Sequence, residues 1–198
     1  MRRHILRQRE RCCGHNGVRT LLWVLCRYPD ERHIARWACL ALAQVVRNNK
    51  TNYDVAIDSG ACSAVWDALA HHVNDDFVVF GALTALWRLC EHDMFSAAVD
   101  FFVRVGIVEW LRDVLIEHIR TQQTGLLLRG VTALECIATI HASVVEQFRP
   151  VNLGEILGRV ALVNGTDSAL SSAVARVLRL AGLDDPIAAH PHLSSPLA

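Results

Sequence analysis

Three sets of residues in this sequence have types and spacing that could do chemistry. Cys12-Cys13-Gly14-His15 places two thiols and an imidazole within four positions, a donor set that suits zinc. A structural zinc needs four ligands, however. No second Cys or His pair stands at zinc spacing, and the cluster falls in a basic segment. His71-His72 and Glu91-His92-Asp93 form a second donor set, which would share a metal only if two turns of the chain converged. At helix ends the same histidines favour the carboxyl-terminal dipole instead. The third set is Arg47, Arg88, Arg176 and Arg179, whose planar forks can each pair bidentately with a carboxylate or a phosphate. No glycine-rich phosphate loop and no GxSxG nucleophile turn accompanies them. No catalytic, cofactor-binding or metal residue is therefore assigned, and the expectation is a non-enzymatic protein without a cofactor.

The elements that position these residues must be built from 198 residues, enough for one domain or one short repeat array. With 52% hydrophobic and 20% charged residues, disorder over most of the length is excluded. The 20 basic and 20 acidic side chains balance, so no overall field draws the chain to nucleic acid or anionic membrane. The exception is local. MRRHILRQRER sets Arg2, Arg3, Arg7, Arg9 and Arg11 against Glu10 alone. This segment reads as a solvated first helix, an organelle-targeting helix or an electrostatic contact with an acidic partner.

No secretory signal is visible, since the first apolar run, LLWVLC at 21–26, is too short and too far in. The longest near-uncharged run, FVVFGALTALW at 77–87, falls short of the roughly 20 residues of a membrane helix. Seven cysteines form an odd, scattered set, and Cys26, Cys39, Cys90 and Cys136 sit within apolar helical patterns. A reducing, intracellular setting follows as the expectation, most simply the cytoplasm, with cytoskeletal or organellar placement open. Without secretion, the sequons at Asn49-Lys50-Thr51 and Asn164-Gly165-Thr166 stay silent.

Apolar residues recur at three- and four-residue spacing and the five prolines lie at segment edges or in the tail, which predicts an all-α chain. Its pattern repeats. Gly17, Gly60, Gly106 and Asn152 follow one another at 43, 46 and 46 residues. Both residue types tolerate the positive φ of a sharp turn between helices. Five residues beyond them stand Leu22, Val65, Leu111 and Leu157; eight beyond stand Leu25, Ala68, Val114 and Val160. A second motif follows each turn: ALAQVV from Ala41, ALWRLC from Ala85, ALECIA from Ala133 and AVARVL from Ala173. Positions one, two, five and six of this motif make one buried helical stripe. Three residues before it come Ala38, Ala82, Gly130 and Leu170, mostly small enough for close helix contact. Each unit thus reads as short helix, Gly turn, helix, polar loop and longer helix.

Units of about 40–47 residues with two or three helices fall in the armadillo and HEAT range. NYDVAIDSGACSAVWDAL and AAVDFFVRVGIVEWLRDVL resemble the first two helices of the armadillo repeat family, and the Ala-Leu motifs resemble its third helix. The resemblance spans residues 14 to 182. It implies an all-α, right-handed α-solenoid of about four repeats, with third helices lining a concave groove that binds another protein. The domain reading is a basic segment at 1–13, a repeat domain at 14–183 and a flexible tail at 184–198.

The chain departs from the family at the groove. Peptide-binding members keep an Asn in the pattern Ala-Leu-x-Asn, and the matching positions here are Gln44, Arg88, Cys136 and Arg176. The family's Trp four residues earlier is replaced by Leu40, Thr84, Thr132 and Ser172. Arg offers only donors, so a ladder of bonds to a peptide backbone is not expected. The candidate partner-binding residues are Gln44, Arg47, Trp87, Arg88, Arg176 and Arg179. Either the arginines engage an acidic segment of a protein partner, or they solvate this face and pair with Glu91 and Glu135. The other tryptophans, at 23, 37, 66 and 110, fall in helical stripes and are expected in packing. The functional expectation is an adaptor or a structural subunit of a larger assembly, docking through the groove or an array end. Alternatives are a cytoskeletal or ciliary scaffold, and a nucleic-acid-binding subunit using the arginine face.

Overall fold

The computed structural model of the chain describes residues 16–91, 97–140, 142–163 and 167–183. Among these residues every regular element is helical: eleven α-helices and one 3-10 turn, with no strand. The basic segment at 1–13 and the tail at 184–198 lie outside the described residues, as do Cys12–His15, His92, Asp93 and the sequon at Asn164. The chain forms two compact units, Met1–Phe102 and Val103–Ala198.

The first unit holds α1 (Asn16–Arg27), α2 (Arg32–Val46), α3 (Lys50–Asp58), α4 (Ala61–His71), α5 (Asp76–Glu91) and most of α6 (Ala97–Arg104). Their boundaries follow local chemistry. Asn49 caps α3 by accepting the Asn52 amide at 3.0 Å. Gly60 turns the chain into α4 at φ +82°, a conformation that side chains disfavour. Asp75 caps α5, its Oδ1 accepting the amides of Phe77 and Val78 at 3.1 Å. Gly17 departs from the expected pattern: it is the second residue of α1 and makes no left-handed turn.

Helix α5 lies along α2, while α1 backs α2 and α4 backs α5. Leu22, Leu42, Val65, Leu69, Leu83, Leu86 and Leu89 fill the interior between them. The α2–α5 stack is parallel. Arg32 meets Asp75 at 3.8 Å. Further along, Arg36 meets Phe77, and Arg36 and Leu40 meet Gly81. A Cβ at Gly81 would come within 3.0 Å of the Arg36 carbonyl oxygen, so glycine sets this approach.

The paired histidines at the end of α4 are engaged by the turn before α2, while His92 and Asp93 of the same donor set lie outside the described residues. His71 Nε2 lies 2.9 Å from Asp30 Oδ1, and His72 Nε2 donates to the Pro29 carbonyl at 2.7 Å. They clasp the turn that joins α1 to α2.

The second unit holds α7 (Ile107–Thr121), α8 (Thr124–Ile140), a 3-10 turn (Ala142–Val144), α9 (Val145–Phe148), α10 (Leu153–Val163) and α11 (Ser168–Leu180). Gly106 at φ +83° and Asn152 at φ +53° make the left-handed turns before α7 and α10. Asp167 caps α11 through the amides of Ala169 and Leu170. Helix α11 lies along α8, with α7 against α8 and α10 against both α7 and α11. The stripes Ala133, Leu134, Ile137, Ala138 and Ala173, Val174, Val177, Leu178 are buried as the motif requires. In the first unit Ala85, Leu86, Leu89 and Cys90 are likewise buried, whereas Ala41 and Val45 are half-buried.

Two glycines and one thiol give measurable consequences. A Cβ at Gly130 would press only on side chains, most closely the Leu115 Cδ2 methyl at 3.2 Å, and that side chain can give way. Gly130→Ala is therefore expected to be near neutral in urea unfolding, helix propensity offsetting the contact. Gly81→Val drives branched carbons into the α2 backbone and is expected to cost about 1–3 kcal/mol. Equal effects of the two changes would contradict the close approach at Gly81. Cys39 is fully buried, and that burial pushes its thiol up from 9.0 to about 12. The folded state thus favours the neutral thiol. This contribution to stability is complete below pH 9 and is lost as pH rises toward 12. A thiol-specific reagent at pH 8 should modify exposed Cys26 well before Cys39.

Candidate interaction face

The repeated Ala-Leu motifs place their fourth positions off the buried stripe. In the first unit Gln44 is exposed on α2 and Arg88 is half-buried on α5. Residues seven and eleven apart share a helical face, so Trp37, Leu40 and Gln44 form one stripe of α2. Phe77, Gly81, Thr84 and Arg88 form the matching stripe of α5. The parallel register carries Trp37 and Phe77 to the amino end of this face, and Gln44, Arg47 and Arg88 to its carboxyl end. The two ends lie about 10 Å apart along α2 at 1.5 Å per residue.

The carboxyl end is polar and largely satisfied. Arg88 lies 3.8 Å over the Trp87 ring and forms an ion pair with Glu91 one turn on. Only 14% of its side chain is exposed. Arg47 is exposed at the C-cap of α2. Four residues before Arg88, Thr84 turns its hydroxyl back to the Phe80 carbonyl at 2.7 Å, so no aromatic side chain stands there.

The aromatic side chains sit at the other end. Trp37 is 59% exposed and Phe77 is 64% exposed. The Arg36 guanidinium lies 4.8 Å from the Trp37 ring centre and 4.5 Å from that of Phe77. This corrects the expectation that Trp37 is used in packing. Trp23 departs in the same way, at 59% exposure, with its ring edge-on to Tyr28 at 6.2 Å. Trp66 and Trp110 are half-buried. The aromatic position was missed in the sequence because a helical stripe shows which residues align, and not which stripe a neighbour covers. The available signal was the seven-residue step from Trp37 to Gln44.

In the second unit Cys136 is half-buried on α8, and Arg176 reaches from α11 to Glu135 with two bonds, at 2.5 and 3.0 Å. The Glu135 hydrogen bond raises the Arg176 pKa above its usual value. Arg179 is exposed and donates to the Ala175 carbonyl of its own helix at 3.3 Å. The structure therefore joins Trp87 with Arg88, and pairs Arg88 with Glu91 and Arg176 with Glu135. Neither paired arginine presents an unengaged fork.

Among the described residues no group of three His, Cys, Asp or Glu side chains is placed to hold a metal ion. No described helix is long and apolar enough to cross a membrane. No protein-family model, curated protein or solved structure matches this chain.

The Arg176–Glu135 pair is open to solvent, with side chains 46% and 22% exposed. A double-mutant cycle of Arg176→Gln and Glu135→Gln is expected to give a coupling of about 0.2–1 kcal/mol that shrinks with added salt. Coupling well above that range, insensitive to salt, would show a buried lock instead.

Proposed function

We propose that this chain is a non-catalytic protein-interaction module, an adaptor or a structural subunit, that binds a partner across the α2–α5 face. The observation that carries this reading is the exposed Trp37 and Phe77 pair on two stacked helices, bracketing Arg36. Trp and Arg are the side chains that most often dominate protein interfaces. Exposed apolar side chains grouped around one arginine mark an interaction site better than scattered ones do. The repeat pattern fits an armadillo-like, right-handed solenoid of about four repeats, with this face on its concave side. Cys26, Cys39, Cys62, Cys90 and Cys136 are in no disulfide, in keeping with a reducing, intracellular setting.

The arginines weigh against a phosphate-binding role. Arg88 and Arg176 already answer carboxylates of this chain, so a nucleic-acid backbone would have to displace Glu91 and Glu135. Gln44, Arg47 and Trp87 join the proposed face from its carboxyl end. Arg176 and Arg179 belong to the other unit and are candidates there by the same sequence pattern.

A photo-crosslinking residue introduced in place of Trp37 or Phe77 in cells tests the reading. Discrete crosslinked protein partners are expected from both positions, and not from Glu117, an exposed residue of α7. Crosslinks of equal yield from Glu117, or none from positions 37 and 77, would contradict it.

A further inference from the structure

The chemistry of the partner is written in the residues around Arg36. Its guanidinium lies against two exposed rings, and it forms no ion pair among the described residues. Stacking occupies the faces of a guanidinium, whereas its N–H donors lie in the plane and remain able to bond outward. Cation–π contact also fixes the fork before any partner arrives, which lowers the ordering cost of binding.

The surroundings favour negative charge. Helices α1 and α2 carry Arg19, Arg27, Arg32 and Arg36 and contain no Asp or Glu. Two of the nearby acids are engaged elsewhere. Asp30 lies on His71, and Asp75 spends one oxygen capping α5 while the other faces Arg32. Glu31 and Asp76 stand at helix amino termini, where the helix dipole favours them. Beside the rings, Arg32, His33, Arg36, Asp75 and Phe77 line a depression of about 150 Å³, the size of a single side chain.

We infer that the Trp37–Arg36–Phe77 cluster receives an acidic segment of a protein partner, with a carboxylate on Arg36 and a neighbouring apolar side chain against the two rings. This rests on the interaction face proposed above and names the chemistry of what binds there. One fork between two apolar rings matches one carboxylate with an adjacent apolar residue. A phosphodiester strand needs a track of cations, whereas Arg32 beside the rings faces Asp75 and Arg88 is already paired with Glu91.

The test selects random peptides of about twelve residues by display on the full chain, then measures the winners by fluorescence anisotropy. Enriched peptides are expected to carry Asp or Glu beside Leu, Ile, Phe or Trp. Their affinity should fall about tenfold or more with Arg36→Gln, and less with Arg36→Lys, which keeps the charge but loses the fork. Trp37→Ala with Phe77→Ala should weaken them comparably. Circular dichroism reports whether each variant folds, and Arg36→Lys carries the test if Arg36→Gln does not.

If peptides bind, and are lost with Trp37→Ala and Phe77→Ala, yet show no acidic enrichment and change less than about twofold with both Arg36 variants, the acidic assignment is wrong and the face stands. If no peptide is enriched, or binding ignores all these variants, the face and the assignment fall together. Two further results would overturn the assignment in favour of another occupant. One is an oligothymidine that binds this face more tightly than any selected peptide. The other is a dimer in sedimentation that Trp37→Ala abolishes.

Discussion

Helix α5 approaches α2 so closely at Gly81 that a single added carbon would press on the Arg36 carbonyl. The first unit's candidate face depends on that approach. It brings the amino end of α5 under α2, so that Phe77 and Trp37, from different helices, flank one guanidinium. Gly81 costs roughly 1 kcal/mol of helix propensity relative to Ala. The full burial of Leu42, Leu83, Leu86 and Leu89 offsets it, since each buried leucine contributes on the order of 2 kcal/mol.

Arg88 and Arg176 take a different part from the one their forks suggest. Arg88 is folded onto Trp87 and Glu91, and Arg176 spans two helices to reach Glu135. Each satisfies a carboxylate within its own unit. The Arg176–Glu135 contribution to stability is small, because solvent-open ion pairs are screened and pay side-chain entropy. What the two arginines achieve is placement: Arg176 links the polar sides of α8 and α11, and Arg88 holds the Trp87 ring flat against a charge. Arg36, which the repeat motif does not include, has its guanidinium against rings instead of an acid.

Much of this was legible in the sequence. Three- and four-residue spacing gave the helical class, because a buried stripe must recur at the helical period. Gly60, Gly106 and Asn152 marked real left-handed turns. Gly17 misled, because glycine also tolerates ordinary helical angles and spacing alone does not tell the two uses apart. The pairing of Arg88 and Arg176 with Glu91 and Glu135 was visible as one of two alternatives. The aromatic end was not, since Trp37 and Phe77 lie outside the repeated motif and their exposure depends on which neighbour covers each stripe. The His71–Asp30 and His72–Pro29 clasps were hidden for a related reason: they join residues more than forty positions apart.

The central claim is that the α2–α5 face is covered by a partner where the protein works. Hydroxyl-radical footprinting of Trp37, Phe77 and Trp23, in the purified chain and in intact cells, tests it most directly. All three rings are exposed in the isolated chain, so all three should oxidise there. In cells, Trp37 and Phe77 should be protected several-fold relative to the purified chain. Full oxidation of both in cells, at the rate of the isolated protein, would contradict the account.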